Sequence, residues 1–266
     1  MSLRHDGEEL LGDVTAHVPD RPWARGIPLL HPWANRLGGF AYMFDGTPVE
    51  LDPADLYLEE HGLPLHGLRR AVTGWALTEH TDTRAAAAHR VEGFAGFPFD
   101  HEIAQTAELD ARRLTITTTI RAGERPVPIA FGHHPFFQLP GVPRAEWALT
   151  LPVAERIVVD ANLIPTGERT PAGALDGPLG DRTFDDGYTY GGTGAFVLEG
   201  GGRRIEVAFE DGYAYAQVFA PAIADIVCFE PMTAPADALR HGPDSVPSGG
   251  TFSARFSVTI DAVSER

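Results

Sequence analysis

Five short clusters carry the side chains in this sequence that could do chemistry: Asn35-Arg36-Leu37, Leu65-His66-Gly67, His133-His134-Pro135, Asp185-Asp186-Gly187 and Cys228-Phe229-Glu230-Pro231. A carboxylate with an ordinary pKa of ~4.3 is a weak base, and an imidazole near ~6.5 is an acid matched to neutral pH, so these types together suit proton transfer. Glu230 closes an apolar run and is followed by Pro231, which cannot donate a ladder hydrogen bond; the pattern predicts a glutamate at a strand end, either exposed or reaching into a cleft. Cys228, two residues earlier, shares its face and reads as a small packed residue. His133 and His134 leave an extended chain on opposite faces, so only one can enter a given cleft. The same geometry argues against a metal site, because no His-x-His pair puts two rings on one face.

The remaining clusters each have a plain and a functional reading. His66 is either a surface-turn histidine or one beside a ligand, with Gly67 permitting close backbone approach. The Arg36 guanidinium is a fork that suits vicinal oxygens, and equally a structural salt bridge. Asp185 and Asp186 are either acidic turn residues or ligand contacts. Trp33, Trp75 and Phe136 are candidate aromatic walls, or core.

Composition narrows the function classes. The chain has 266 residues and a formal net charge of -16, which repels nucleic-acid backbones and anionic lipid surfaces. All 21 basic residues apart from histidine are arginine. Schiff-base chemistry and a Walker-type phosphate loop, both of which need lysine, are therefore excluded. Cys228 is the single cysteine, so no intramolecular disulfide forms. No apolar run approaches the ~20 residues of a membrane span. The polar, acidic start Met1–Glu9 lacks the pattern of a secretory signal, which gives cytoplasmic location as the expectation.

Positioning these groups falls to strands. Phe40, Tyr42 and Phe44 alternate before an Asp45-Gly46 turn, and Leu114, Ile116, Thr118 and Ile120 form a second period-2 run. Further strands are expected over 147–151, 157–159, 204–209, 213–219, 226–229 and 252–260. The stretch Arg84–Ala88 admits strand, helical turn or loop, and residues 160–195, rich in Gly, Pro and Asp, read as a long irregular segment. With 29 Gly and 22 Pro between short strands, the expected fold class is all-β, a large antiparallel β-sandwich forming a single domain over 1–266.

Read in order, His31-Pro32-Trp33-Ala34-Asn35-Arg36-Leu37, Pro64-Leu65-His66-Gly67-Leu68, His133-His134-Pro135-Phe136-Phe137-Gln138-Leu139 and Cys228-Phe229-Glu230-Pro231-Met232-Thr233 resemble the aldose 1-epimerase (galactose mutarotase) family. The resemblance spans residues ~25 to ~240 and implies a galactose mutarotase-like supersandwich and a cofactor-independent mutarotase interconverting the α and β anomers of a free aldose. It also implies roles: Glu230 as catalytic base, His134 as catalytic acid, His66 assisting, and Arg36, Asn35 and Asp185 binding substrate, with Asp186 the alternative to Asp185. No cofactor, no metal, no nucleic acid and no membrane partner is implied beyond the small-molecule sugar, and no oligomeric state. Departures from the family pattern fall at Leu68, Phe136-Phe137-Gln138 and Pro231-Met232, and bear on which sugar is used. Arg25-Gly26-Ile27-Pro28 and His66-Gly67-Leu68-Arg69-Arg70 also resemble the hexose-6-phosphate 1-epimerase branch, which is the rival, together with a non-catalytic carbohydrate-binding protein of the same fold. A free aldose is the expectation, with Arg69 or Arg70 held in a structural ion pair.

Overall fold

A computed structural model describes residues 2–69 and 73–262. The expected strands form, and two antiparallel sheets account for most of them. One has nine strands in the order Gly177–Pro178, Ala148–Thr150, Phe196–Gly200, Arg203–Asp211, Thr251–Ala262, Arg113–Ala122, His101–Asp110, Arg84–Val91 and Ala76–His80. The ambiguous alanine stretch is thus a strand, paired on both sides. The Asp45-Gly46 turn also forms, with φ of 48° and 70° between the paired strands Ala41–Phe44 and Thr47–Glu50.

The second sheet holds the site. Its order is Pro165–Pro171, Val153–Val159, Phe184–Tyr190, Tyr215–Ala220, Val227–Met232, Gly132–His133 and Leu29–Leu30, with Phe136–Phe137 also paired to Val227–Met232. Val227 and Phe229 with Ala216, Val218 and Ala220 enter one core with Ile103, Ile116, Phe256 and Val258 of the nine-stranded sheet. Strand alternation then forces Cys228, Glu230 and Met232, and Tyr215, Gln217 and Phe219, onto the other face. That outer face is roofed by Val14, Val18, Trp23 and Ala24, packed with Phe136, Phe219, Ile226 and Cys228.

Two expectations are corrected here. Residues 160–195 are not one irregular segment, since they contain Pro165–Pro171 and Phe184–Tyr190. The first is an exposed edge strand, where proline costs little, and the second places Asp185 and Asp186 on a strand rather than in a turn. Glu230 does not end its strand either. Val227–Met232 runs on through Pro231, which lies between the stretch paired to Phe136–Phe137 and the pair Gly132 with Met232. The ladder on that side is already open, so an imino residue is tolerated.

Candidate functional site

The register builds the centre of the site. Gly132 faces Met232 and Phe136 faces Cys228, so His134, midway between, stands opposite Glu230. His134 Nε2 lies 3.2 Å from Glu230 Oε1, with Glu230 1% and His134 6% exposed. Across the other edge of the strand Gln217 pairs with Glu230, and Gly187 pairs with Gln217. Gln217 Nε2 donates to Asp185 Oδ1 at 2.7 Å. A row of His134, Glu230 and Gln217 therefore crosses the outer face, with Asp185 joined to it through the amide.

Asn35 and Arg36 reach this row from a segment beside Pro64–Leu68. Asn35 and His66 both have left-handed backbone, with φ of 58° and 57°, and each ties the other: His66 N–H donates to Asn35 O at 3.0 Å, and Asn35 N–H donates to His66 Nδ1 at 3.1 Å. Because Nδ1 accepts, a neutral His66 carries its proton on Nε2 and is a donor there. Gly67 makes this possible by approaching backbone rather than ligand: a Cβ there would stand 2.0 Å from the His31 carbonyl oxygen. The Arg36 guanidinium is fully engaged, with Nε 3.4 Å from Glu59 Oε2, Nη2 3.3 Å from Asp185 Oδ2 and Nη1 donating to Asn35 Oδ1 at 3.2 Å. Arg36 thus makes the structural salt bridge and also lines the site's cavity.

These groups line one cavity of about 110 Å³ together with Trp23, Phe136 and Phe219. The Phe136 ring stacks on His134 at 4.3 Å, the His66 and His134 rings are 5.5 Å apart, and Trp23 meets His66 edge-on at 4.8 Å. Four buried polar atoms of the lining have no partner in the fold: Glu230 Oε2, His134 Nδ1, Trp23 Nε1 and Arg21 Nε. Unpaired buried polar atoms are costly, and four around one cavity mark a place where a hydrogen-bonding ligand restores what burial removed. Burial lifts the Glu230 carboxyl well above the usual carboxylate range, with Asp185 adding to the effect, and pushes His134 down to about 3. Burial, then His134 and Arg36, also hold His66 well below its ordinary value, so it is neutral.

His133 lies on the core face. Its Nε2 accepts from Gln105 Nε2 at 2.8 Å and its Nδ1 is 3.2 Å from the Tyr213 hydroxyl, so it is a packed histidine. Asp186 also points away and pairs with Arg156. Of the aromatic candidates only Phe136 lines the cavity; Trp33 is core, and Trp75 borders a different groove. Arg25 pairs with Asp13 at 3.7 Å. Arg69 Nε donates to Leu56 O at 2.7 Å, with its guanidinium over Tyr57, rather than entering the expected ion pair. Arg70 lies outside the described residues. Glu59, Glu60 and His61 bring three possible ligand atoms together, but Glu59 already accepts from His61 N–H, Leu63 N–H and Arg36. Gln217, Trp23 and Arg21 line the cavity without having been singled out in the sequence. A lone amide in the apolar strand Tyr215–Ala220 was the available signal for Gln217.

The aldose 1-epimerase family pattern matches residues 2–259. The chain belongs to the aldose 1-epimerase family. Among solved structures, the GalM/aldose epimerase homologue of C. elegans is 17% identical, with a TM-score of 0.79 over 96% of this chain and 89% of that one. A galactose mutarotase-like protein of Clostridium acetobutylicum has a TM-score of 0.80 at 14% identity over 92% and 81% of the two chains. The galactose 1-epimerase of Lactobacillus acidophilus has 0.75 at 14% over 98% and 88%. These likenesses give the fold, a galactose mutarotase-like all-β sandwich, and the family makes this a mutarotase-type sugar epimerase. No curated protein sequence is significantly similar. No helix of the described residues is long and apolar enough to cross a membrane.

Proposed function

We propose that this family member interconverts the anomers of a free aldose, with Glu230 as base, His134 as acid, His66 as a neutral donor to the ring oxygen, and Asn35, Arg36 and Asp185 holding hydroxyls. The observation that carries the reading is the buried 3.2 Å pair of Glu230 and His134 in the cavity that Arg36 and Asp185 also line. Anomer exchange needs the C1 hydroxyl to lose a proton while the ring oxygen gains one. The pair holds one proton between its two members throughout. Ring opening moves it from His134 to the sugar as Glu230 takes another, and closure on the other carbonyl face reverses both transfers, so no cofactor enters.

Burial sets the energetics. In water the ordinary values of ~4.3 and ~6.5 favour the ion pair by roughly two pKa units, and burial works against that preference by raising the carboxyl and lowering the imidazole. A pair whose proton can rest on either member suits both directions of a reversible isomerisation. Asp185 has both oxygens engaged by Gln217 and Arg36, which fixes its carboxylate in place as an acceptor for sugar hydroxyls. The free-sugar reading over the phosphorylated one is supported by Arg25 and Arg69, whose guanidiniums are occupied outside this cavity. The test is NMR exchange spectroscopy of anomers across glucose, galactose and glucose 6-phosphate. Exchange on an unphosphorylated aldose supports the reading, whereas binding without exchange, or exchange confined to the phosphate ester, overturns it.

A further inference from the structure

One wall of the cavity is a strap closed at its base by the Asp13–Arg25 bridge and by Val14 N–H donating to Ala24 O at 3.0 Å. It contributes Val14, Val18, Trp23 and a second arginine, Arg21. The two lining arginines differ in one respect that matters. Arg36 is neutralised by Glu59 and Asp185. Arg21 Nε is buried with no partner, and among the described residues no carboxylate pairs with the Arg21 guanidinium. The lining it shares includes the apolar Val14, Val18, Phe219 and Ile223 and the strap's own His17.

We propose that the preferred substrate is an acidic aldose, a hexuronate whose C6 carboxylate is received by the Arg21 guanidinium; this rests on the mutarotase reading of the same cavity. The position follows from sugar connectivity. C6 is bonded to C5, which is bonded to the ring oxygen, so a C6 group projects from the side of the ring at which His66 and His134 act. Arg21 lines the same cavity as His66 and His134, on the strap whose Trp23 meets His66 edge-on at 4.8 Å. A planar carboxylate matches one guanidinium fork. A phosphate dianion calls for more positive charge than this one arginine supplies, and the net charge of -16 opposes it at long range.

Anomer exchange and saturation-transfer binding are measured on the full-length protein with glucuronate, galacturonate, glucose, galactose and glucose 6-phosphate, for the wild type, R21Q, R21K and E230Q. The expected result is a kcat/KM for a uronate at least about tenfold above its neutral counterpart, as one charge-assisted contact provides. R21Q lowers the uronate value about tenfold to a hundredfold more than the neutral one, mainly through KM, and R21K restores part of it. Uronate bound by E230Q without exchange upholds the assignment. Uronate binding through Arg21 by a wild type that exchanges no sugar also upholds it, and overturns the catalytic reading instead. Equal or better use of neutral sugars, a preference for the phosphate ester, or uronate binding indifferent to R21Q overturns the proposal.

Discussion

His133 and His134 are one residue apart and face different worlds, so the substitutions His134→Asn and His133→Asn should separate catalysis from stability. Replacing His134 removes the proposed acid, and loss of a general acid costs ~10²–10⁴-fold in rate. The fold should lose little, because Glu230, whose pKa burial has already lifted, can take up a proton once its partner is gone and leave no buried bare charge. His133→Asn acts oppositely. It shortens a buried side chain and strips partners from the Gln105 amide and the Tyr213 hydroxyl, which the imidazole joins at 2.8 and 3.2 Å. Each buried polar group left unpaired costs about 1–3 kcal/mol, so the pair together cost about 2–6 kcal/mol. At about 2–4 °C per kcal/mol for a chain of this size, Tm should fall by about 4–24 °C. Both variants are followed by NMR anomer exchange at a temperature where they are folded, and by thermal unfolding. A His133 variant that loses the rate while a His134 variant keeps it would refute the face assignment and the register behind it.

Acid stability should follow the buried histidines. Burial pushes His133 and His134 down to about 3 and lowers His31, His66 and His101, so below the ordinary ~6.5 the unfolded chain takes up protons that the fold refuses. Their contribution is whole above pH ~6.5 and is lost towards pH 3, by up to about 1.4 kcal/mol per pH unit each; Glu230, raised instead, has the opposite slope and offsets part of the loss. Denaturant midpoints should therefore fall between pH 7 and 5, less steeply in H133Q, and a flat profile would contradict the burial argument. Asp185→Asn should raise KM about tenfold by loosening the Gln217 and Arg36 contacts, while Asp186→Asn, on the other face with Arg156, should leave KM unchanged; steady-state exchange rates against sugar concentration distinguish them. Gly67→Ala should destabilise by roughly 3 kcal/mol or more and lower the rate with it, because the new Cβ meets the His31 carbonyl at a left-handed position of φ 83° that also sets His66, and chemical denaturation with exchange assays reads both effects.

The strands were legible because period-2 alternation survives in most of them, as in Leu114, Ile116, Thr118 and Ile120 of Arg113–Ala122. What failed was local inference from proline and aspartate. Pro231 marked a strand end only if its missing N–H removed a ladder bond, and pairing with two separate stretches on that side could not be read from one strand. Asp185 and Asp186 resembled turn residues, yet they lie on Phe184–Tyr190, where alternation sends one to the cavity and the other to Arg156. The catalytic candidates were visible because a histidine or glutamate inside an apolar stretch is itself a signal. Trp23 and Arg21 were not, since the segment that carries them has no period and its place over the cavity depends on tertiary closure at Asp13–Arg25.

The central claim is that Glu230 exchanges a proton with the anomeric hydroxyl, and Glu230→Gln tests it with little change in shape, since the amide keeps the cross-strand position opposite His134 and cannot act as the base. The measurement is the rate of anomer exchange by NMR on the best aldose of the panel, with sugar binding recorded on the same sample. Retained binding with a rate lower by ~10²–10⁴-fold is the predicted result. A variant that binds the sugar and exchanges its anomers at close to the wild-type rate would contradict the account.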